Sequence, residues 1–454
     1  MINAQLGELG LFTDLYELTM LQAYMAERMT DTAVFTLFVR RLPDCRNFLL
    51  ACGMESIPGS LEQLRFTSDD LAYLSSLQLF ADDFLTWLRA FRFTGDVYAV
   101  PDGTPVFANE PILEIVAPLM QAQLVETLVM NQVHLQTVLA SKGARVAAAA
   151  QGRTVVDFGA RRTHGIEAAV QAARALYIAG VAATSNVLAG KLYGIPVAGT
   201  MAHSYIQAHG DERDAFRAFA RTFPGTTLLV DTYDTLEGVR RVIDLVESTP
   251  GEFTVSAVRL DSGDLGALAR ETRRMLDAAG LQEIGIFASS GLDEHAIAEL
   301  LAAGAPINGF GVGTGMAVSD DAPALDIVYK LAEYGGAGRT KLSRHKPILP
   351  GRKQLFRREE DGRAIGDAIG LAGERLDGRP LLQMTMRGGR QLSVPQGIHM
   401  VRNRAAEELA RLPPDVTALA RVVPPYPVRI SNALERHHAQ TREAVMTHRR
   451  GGRF

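Results

Sequence analysis

The 454-residue chain has few cysteines, little net charge and no long apolar run. Its two cysteines, Cys45 and Cys52, cannot form a disulfide scaffold and make no CxxC pair. We therefore expect a reduced, cytoplasmic setting and no protein-held metal. A net charge of −4 argues against a nucleic-acid partner. Without a run of about 18 apolar residues no membrane span is expected, and the first residues lack the pattern of a signal peptide.

The chain does have an ordinary globular composition, with 47% hydrophobic and 22% charged residues. Its length predicts two or three domains. Residues 1–120 mix helical and β-like segments, beginning with a helix predicted at Asp14 with Glu17 as its capping-box partner. Residues 121–335 become regularly alternating, whereas residues 336–430 lose the alternation and residues 431–454 form a basic tail.

The alternation within residues 121–335 predicts βαβ units. Strands that alternate with helices of this length form parallel sheets, and about seven in series favour a (β/α) barrel. The predicted strands are residues 154–156, 181–183, 195–198, 227–230, 254–260, 284–288 and 308–310. The predicted helices between them include residues 166–177, 211–222, 235–247, 265–279 and 293–303.

Polar or glycine residues follow each of these strands and predict a catalytic rim. In a barrel of this kind, the carboxyl ends of the strands build the active site. His203 follows the buried strand predicted at residues 195–198, where it could act as a general base or a nucleophile. Aspartate and serine also cap helices, but seven consecutive polar strand ends favour a site over capping alone.

Some of these residues suit a phosphorylated sugar. The glycines of 311–315 let backbone N–H groups approach a phosphate. Asp261 and Asp264 could bind sugar hydroxyls or a Mg²⁺-bound group, or they could cap the next helix. A basic stretch such as residues 339–354 is usually a solvated surface. Beside such a phosphate loop, it could instead bind a polyanion.

Other residues suit a flat, acidic ring. Arg161, Arg162 and Arg259 lie at predicted strand ends and could hold a carboxylate by paired hydrogen bonds. Phe158 could stack on the ring itself. No nucleophile elbow, Walker A loop or zinc motif offers a competing chemistry.

Several stretches of the chain resemble the nicotinate phosphoribosyltransferase family, over about residues 10 to 360. Nicotinamide phosphoribosyltransferase and the decarboxylating quinolinate enzyme are related families. The similar stretches are TDLYELTM (13–20), FANEP (107–111), DFGARRTHG (157–165), TSNVLAGKLYGIPVAGTMAHS (184–204), VDTYDT (230–235), VRLDSGDL (258–265) and KLSRHKPILPGRKQ (341–354).

The resemblance implies the type II phosphoribosyltransferase fold, an irregular (β/α) barrel plus an α/β domain of sandwich-like character formed from both chain ends. It also implies that nicotinate and PRPP give nicotinate mononucleotide and pyrophosphate in NAD salvage, coupled to ATP hydrolysis. Mg²⁺ as cofactor, ATP as co-substrate and a homodimer with shared active sites are further implications.

The resemblance assigns roles to individual residues at matching positions. His203 would be phosphorylated by ATP, Asp231 would orient it, and Asp261 would hold the ribose hydroxyls. The nicotinate site would comprise Phe158, Arg161, Ser185, Arg259 and Tyr16 from a second subunit. The site for PRPP and other phosphates would comprise Arg40 or Arg41, Ser262, Gly263, Ser290, Gly291, Gly311, Gly313, Thr314, Lys341, Ser343, Lys346 and Lys353.

Ser185 predicts the choice of base. The nicotinamide-specific relative has an acid at this place, and an aspartate there would accept a hydrogen bond from an amide and repel a carboxylate. Serine removes that repulsion, so the chain is expected to prefer nicotinate to nicotinamide.

Three alternatives remain open on the sequence alone. A quinolinate or nicotinamide enzyme would have the same fold, although the quinolinate enzyme needs more positive charge around the base and no ATP-linked histidine. A phosphosugar enzyme such as an aldolase needs a Schiff-base lysine at a strand end, and none of the predicted strand ends carries one. A non-catalytic barrel predicts loss of His203, Asp261 or the glycine loop, and all three are present.

Overall fold

A computed structural model describes residues 6–248, 251, 254–343 and 348–451. The chain divides into a central unit, Lys142–Pro323, and a terminal unit that combines Met1–Ser141 with Ala324–Phe454. These divisions lie inside the limits of 121 and 335 that the sequence suggested for the alternating region.

Helices and strands cover most of the described residues. None of the described helices is both long and apolar enough to cross a membrane. The helices are α1 Leu15–Ala26, α2 Ile57–Gln63, α3 Ser68–Ser76, α4 Asp82–Ala90, α5 Leu119–Leu124, α6 Glu126–Ala149, α7 Ile166–Ile178, α8 Val187–Tyr193, α9 His203–Gln207, α10 Glu212–Thr222, α11 Thr235–Ser248, α12 Leu265–Ala278, α13 Glu294–Ala302, α14 Thr314–Ala317, α15 Ile398–Arg411, α16 Pro414–Thr417 and α17 Asn432–Gly451. The strands are β1 Thr32–Val39, β2 Leu49–Ala51, β3 Asp96–Ala99, β4 Thr104–Val106, β5 Leu113–Pro118, β6 Thr154–Asp157, β7 Ala183–Thr184, β8 Thr226–Leu229, β9 Val255–Leu260, β10 Gly285–Ser289, β11 Gly309–Val312, β12 Ile327–Tyr334, β13 Ala337–Gly338, β14 Lys353–Glu360, β15 Arg363–Leu371, β16 Arg379–Pro380, β17 Gln383–Arg387, β18 Arg390–Gln391 and β19 Val428–Ile430.

A six-stranded parallel sheet forms the core of the central unit. Its strand order is β7-β6-β11-β10-β9-β8, and every described ladder in it is parallel. Short apolar strands such as β6 and β11 are buried because helices cover parallel sheets. Since the strands are parallel, their carboxyl ends all lie at one edge, which we call the rim.

The sheet is an open half-barrel in the described residues. No ladder there joins β7 to β8, so the closed (β/α) barrel is not confirmed. The prediction of a buried strand at residues 195–198 is wrong. This segment makes a single parallel bridge, between Val197 and Thr184, and only Ile195 in it is buried. Its apolar letters therefore do not mark a core strand.

The terminal unit is built around a seven-stranded sheet with the order β13-β12-β1-β5-β3-β17-β18. β1 is an interior strand of this sheet and pairs antiparallel with both β5 and β12. Seven of the eight residues of β1 are buried, as expected for an apolar central strand. The pairing of β1 with β12 brings the two ends of the chain into one sheet.

A smaller four-stranded sheet, β16-β14-β15-β19, accounts for much of the carboxyl-terminal segment. β14 and β15 form a hairpin in which Arg357 pairs with Asp367 at 2.7 Å, both fully buried. The stretch predicted as a basic tail from residue 431 instead includes α17, whose Leu434 is buried in the core of this unit. Residues 452–454 of that predicted tail lie outside the described residues.

The first helix begins where predicted but without the predicted capping box. Asp14 is the N-cap of α1 and makes no side-chain capping hydrogen bond. Glu17 is fully buried and accepts hydrogen bonds from the Thr13 hydroxyl and from the backbone N–H and hydroxyl of Thr127. Burial is the main reason why the pKa of Glu17 is raised to about 7.

Candidate active site

The turn after β6 is fixed by Asp157, whose side chain is buried. One carboxylate oxygen accepts the Gly159 N–H at 2.8 Å, and the other accepts the Thr184 hydroxyl at 2.8 Å. The Ser185 N–H donates to the Asp157 carbonyl at 2.8 Å. Burial raises the pKa of Asp157 above its usual value. Asp157 therefore joins the two turns that carry Phe158 and Ser185, two of the predicted base-binding residues.

The Phe158 ring lies against β11 at Gly311. A Cβ atom built on Gly311 would lie 2.4 Å from Cε2 of Phe158, so only glycine leaves room for the ring. Gly311 itself is buried within the β6–β11–β10 ladders. This glycine therefore makes space for the aromatic side chain, and its predicted contact with phosphate stays a prediction.

One arginine lies beside this ring, and a second arginine acts on that arginine electrostatically. The Arg259 guanidinium lies 5.9 Å from the centre of the Phe158 ring and donates to the Thr200 hydroxyl at 2.9 Å. Burial lowers the pKa of Arg259, while Asp261 and Asp231 oppose that shift and the positive charge of Arg161 adds to it. Arg161 is exposed, and its charge acts on the same guanidinium.

Arg161 and Ser185 line one open cleft of about 610 Å³ in the central unit. The apolar part of its lining includes Ile166 and Val187, which are 76% and 70% exposed. A cationic side chain, a small hydroxyl and apolar walls in one cleft suit an aromatic carboxylate.

His203 opens α9 at the rim, with its side chain 40% exposed. Its Nδ1 lies 3.1 Å from the Thr232 hydroxyl. Its Nε2 lies 3.7 Å from Oδ2 of Asp261, an ion-pair distance that is too long for a hydrogen bond. His203 and Asp261, two predicted catalytic residues, therefore lie close together, and the contact to Nδ1 comes from Thr232, which was not predicted.

Asp231 makes no hydrogen bond to His203 within the described residues, and the orienting role that the resemblance implied stays a prediction. Its Oδ2 accepts the Asp261 N–H at 2.9 Å and the Ser262 hydroxyl at 2.6 Å. Its Oδ1 is buried and makes no hydrogen bond within the described residues. Asp231 thus holds the turn that carries Asp261 and Ser262. The hydroxyl of Ser289 donates to Oδ1 of Asp261 and fixes that carboxylate from the other side.

Asp264 caps α12 by accepting the Ala267 N–H, which is the structural alternative stated for it above. Gly263 lies in the same exposed turn with φ of +77°. This left-handed conformation favours glycine, and the predicted contact of Gly263 with PRPP stays a prediction.

The remaining predicted phosphate residues lie in the turns after β10 and β11. Ser290 and Gly291 are exposed and have φ values of +93° and +59°. A non-glycine residue in this region is uncommon and is concentrated at functional sites. Gly313 is the N-cap of the single-turn helix α14, and the Thr314 hydroxyl accepts a hydrogen bond from Arg162 at 3.3 Å.

Tyr16 and Arg40 belong to the terminal unit. Tyr16 is 46% exposed in the first turn of α1, and burial of part of its ring raises the pKa of its hydroxyl. Arg40 and Arg41 both contact Asp326, at 3.5 Å and 3.3 Å. Arg41 is far more exposed than Arg40, at 84% against 19% of the side chain. The choice between these two arginines stays a prediction.

The four residues of the basic stretch differ in position. Lys341 and Ser343 are exposed, and Lys346 lies outside the described residues. Lys353 is buried, pairs with Glu114 at 3.1 Å and donates to two backbone carbonyls. The ammonium group of Lys353 is thus committed to partners within the protein, and its predicted phosphate role stays a prediction.

Sequence reasoning missed the hydroxyl groups of the rim. Thr184, Thr200, Thr232 and Ser289 contact Asp157, Arg259, His203 and Asp261, respectively. Each lies beside a predicted residue in the sequence or follows a predicted strand. Their positions in the sequence could have identified these hydroxyl groups, because a charged group at low exposure needs a hydrogen-bond partner nearby.

No group of three or more histidine, cysteine, aspartate or glutamate side chains in the described part of the chain could hold a metal ion by itself. Mg²⁺ often takes only one or two carboxylates, with phosphate and water as its other ligands. The unpaired, buried Oδ1 of Asp231 and the partly exposed carboxylate of Asp261 fit that lesser requirement.

Comparison with known proteins identifies the family. Residues 11–134 match the model of the nicotinate phosphoribosyltransferase N-terminal domain, and residues 154–346 match that of the nicotinate phosphoribosyltransferase family. The chain is 54% identical to nicotinate phosphoribosyltransferase pncB2 of Mycobacterium tuberculosis, covering 96% of this chain and 95% of the relative. It is 41% identical to nicotinate phosphoribosyltransferase of Bacillus subtilis, covering 83% and 79%.

A solved structure agrees with these matches. The crystal structure of human nicotinic acid phosphoribosyltransferase superimposes with a TM-score of 0.83 at 29% identity, over 94% of this chain and 99% of that one. The fold is thus that of a phosphoribosyl-transferring class of enzymes. The chain belongs to the nicotinate phosphoribosyltransferase family.

Proposed function

We propose that this chain transfers the phosphoribosyl group of PRPP to nicotinate in NAD salvage, releasing pyrophosphate, and that ATP drives the reaction through a phosphate on His203. The observation that carries the proposal is the single rim of the central unit. His203 lies 3.7 Å from Asp261 there, and Arg259 lies 5.9 Å from the centre of the Phe158 ring and interacts electrostatically with Asp261. Family membership at 54% identity supports the same reaction.

The base would bind between Phe158 and the arginines. Phe158 offers an aromatic face, and Arg259, beside that ring, offers donors for the nicotinate carboxylate. The low exposure of Arg259 strengthens such a pair because water screens it less. Arg161 and Ser185 would complete the recognition of the acid from the adjoining cleft.

The ribose would lie at Asp261. Loss of pyrophosphate leaves positive charge on C1 of the ribose, and a fixed carboxylate nearby lowers the energy of that transition state. Asp261 is held by Asp231 through its backbone and by Ser289 through its side chain. It therefore needs little reorganisation during the reaction. The turns with Ser290, Gly291, Gly313 and Thr314 would receive the phosphates.

Mg²⁺ would bind with the diphosphate, and Asp231 and Asp261 are the side chains that would meet it. When bound, the ion supplies positive charge to the leaving pyrophosphate. Binding of Mg²⁺ would be a second role for Asp231, because its side chain already holds the turn that carries Asp261.

The active enzyme would be a homodimer with shared sites. Tyr16 is exposed on α1 beside the exposed apolar side chain of Leu15. Ile166 and Val187 expose apolar surface at the base cleft. Contact between such surfaces of two copies would bury both and would bring Tyr16 of a second subunit to the base.

The direct test offers nicotinate, nicotinamide and quinolinate separately to the purified protein with PRPP and Mg²⁺, with and without ATP. Nicotinate mononucleotide formed from nicotinate, and faster with ATP, is the expected result. Turnover of nicotinamide or quinolinate in preference would transfer the assignment to those activities. Lack of product from all three bases would refute the proposal.

The base preference has its own test in Ser185→Asp. The added carboxylate repels nicotinate, so kcat/KM for nicotinate should fall by about 10-fold or more, the factor that corresponds to about 1.4 kcal/mol. Ser185→Asn, which adds similar volume without charge, is the matched control. Unchanged nicotinate kinetics in Ser185→Asp would remove Ser185 from the recognition site.

A further inference from the structure

Two side chains face the two nitrogens of the His203 ring. The Thr232 hydroxyl lies 3.1 Å from Nδ1, within hydrogen-bond distance. Oδ2 of Asp261 lies 3.7 Å from Nε2, beyond that distance. The contact to Nδ1 is therefore the shorter and more specific of the two, while Nε2 points to the carboxylate that would bind the ribose.

The acidic neighbour of Thr232 is committed elsewhere. Asp231 directs Oδ2 to the Asp261 N–H and the Ser262 hydroxyl, at 2.9 Å and 2.6 Å. It makes no hydrogen bond to His203 within the described residues. Consecutive residues after β8 thus divide two tasks, since Asp231 fixes the ribose turn and Thr232 contacts the imidazole.

We propose that Thr232 is the positioning residue for His203, and that its hydroxyl accepts the Nδ1 proton and thereby makes Nε2 the nitrogen that takes the phosphoryl group. This inference rests on the proposed ATP cycle and goes beyond it by naming the reacting atom. A hydroxyl can accept this proton as well as donate one, whereas a carboxylate can only accept.

The chemical step balances without another reactant. The Nε2 lone pair attacks the γ-phosphorus of ATP, the Nε2–P bond forms, and the bond to the bridging oxygen breaks with its electron pair leaving on ADP. The ring keeps its Nδ1 proton on Thr232 and becomes positively charged. Asp261, on the Nε2 side, lies where it can stabilise that charge.

Thr232→Val and Thr232→Ser test the hydroxyl. Valine matches the shape of threonine but cannot accept the proton, whereas serine retains the hydroxyl. Both are compared with Thr226→Val, a threonine substitution at the opposite end of β8, and with His203→Asn. The measurements are ³²P transfer from [γ-³²P]ATP to the protein, the nitrogen that carries it in an alkaline hydrolysate, and the ratio of product formation with and without ATP.

We expect label on Nε2 of the wild-type protein and none on His203→Asn. The labelling rate and the ATP-dependent ratio should fall about 10- to 100-fold in Thr232→Val, the range expected when a reacting group loses its orientation. They should recover in Thr232→Ser and stay at wild-type values in Thr226→Val. A merely structural role for Thr232 would instead lower the rate without ATP to the same extent.

Two kinds of result overturn the inference. If the wild-type label is on Nδ1, or if Thr232→Val is labelled as fast as the wild type, Thr232 does not select the nitrogen, while the ATP cycle stands. If the wild-type protein takes no label although it makes nicotinate mononucleotide, the ATP cycle itself is wrong, and the inference is wrong with it.

Discussion

Gly311→Ala should move the Phe158 ring and weaken nicotinate binding selectively. The added Cβ would lie 2.4 Å and 2.6 Å from two ring carbons of Phe158 and 3.0 Å from one of Phe287. Carbon atoms prefer separations of about 3.5–4.0 Å, so the Phe158 ring must shift by about 1 Å. Overpacking of this kind costs about 1–3 kcal/mol in the free energy of unfolding.

The kinetic consequence follows from the position of the ring. A displacement of about 1 Å in a group that orients the substrate can cost up to about 100-fold in rate. We expect KM for nicotinate to rise at least several-fold, while KM for PRPP changes little, because the ring would contact the base and not the sugar. Steady-state kinetics with each substrate varied in turn measures both, and thermal melting measures the stability.

Two further variants separate the contact from a general effect of the substitution. Gly210→Ala is the control, since a Cβ at Gly210 would meet no atom within 4 Å. Gly311→Ala combined with Phe158→Leu should recover the melting temperature, because leucine vacates part of the ring volume, but it should not recover nicotinate binding. If Gly311→Ala keeps both its stability and its KM for nicotinate, the steric role of Gly311 is wrong.

The other predictions concern buried groups. Glu17 has its pKa raised to about 7, so its contribution to the free energy of unfolding is fully present below its ordinary pKa of 4.5 and is lost as the pH rises to about 7. The loss should be about 1–2 kcal/mol after solvent screening. Melting curves of the wild-type protein from pH 5 to 8 should show this loss, whereas the stability of Glu17→Gln should depend much less on pH over the same range. Thr184→Val leaves one oxygen of buried Asp157 without its donor, so we expect a loss of about 1–3 kcal/mol in urea unfolding and a higher KM for nicotinate. Lys353→Met should destabilise the protein by about 3–5 kcal/mol because Glu114 stays buried and unpaired, and adding Glu114→Gln should recover most of that loss. A rise in KM for PRPP in Lys353→Met at unchanged stability would instead support the phosphate role of Lys353.

The central unit was the most predictable part of the chain because its pattern is local. Short apolar strands alternate with amphipathic helices, and the helix predicted at residues 166–177 is observed as Ile166–Ile178. The prediction of a buried strand at residues 195–198 failed because four consecutive apolar residues do not show whether a neighbouring strand is available for pairing. Val197 is 51% exposed beside the short strand β7.

The site residues were harder to assign because their roles depend on distant partners and on side-chain direction. Lys353 stands in a basic stretch, but its partner Glu114 is 239 residues away in the chain. Asp231 and Thr232 are adjacent, and only the fold decides which of them faces His203. Gly311 was predicted to contact phosphate. A glycine that lets the backbone approach a ligand and a glycine that makes room for an aromatic ring look identical in sequence.

The pairing of β1 with β12 has a consequence for synthesis on the ribosome. About 290 residues separate Val39 from its partner Ile327, and translation at 5–20 residues per second takes about 15–60 s to cross that interval. β1 can pair with β5 early, but its other edge must wait for β12. The central unit is contiguous and can complete its sheet during that wait. The unfinished edge of an apolar strand is then the part of the nascent chain most exposed to aggregation and to chaperones.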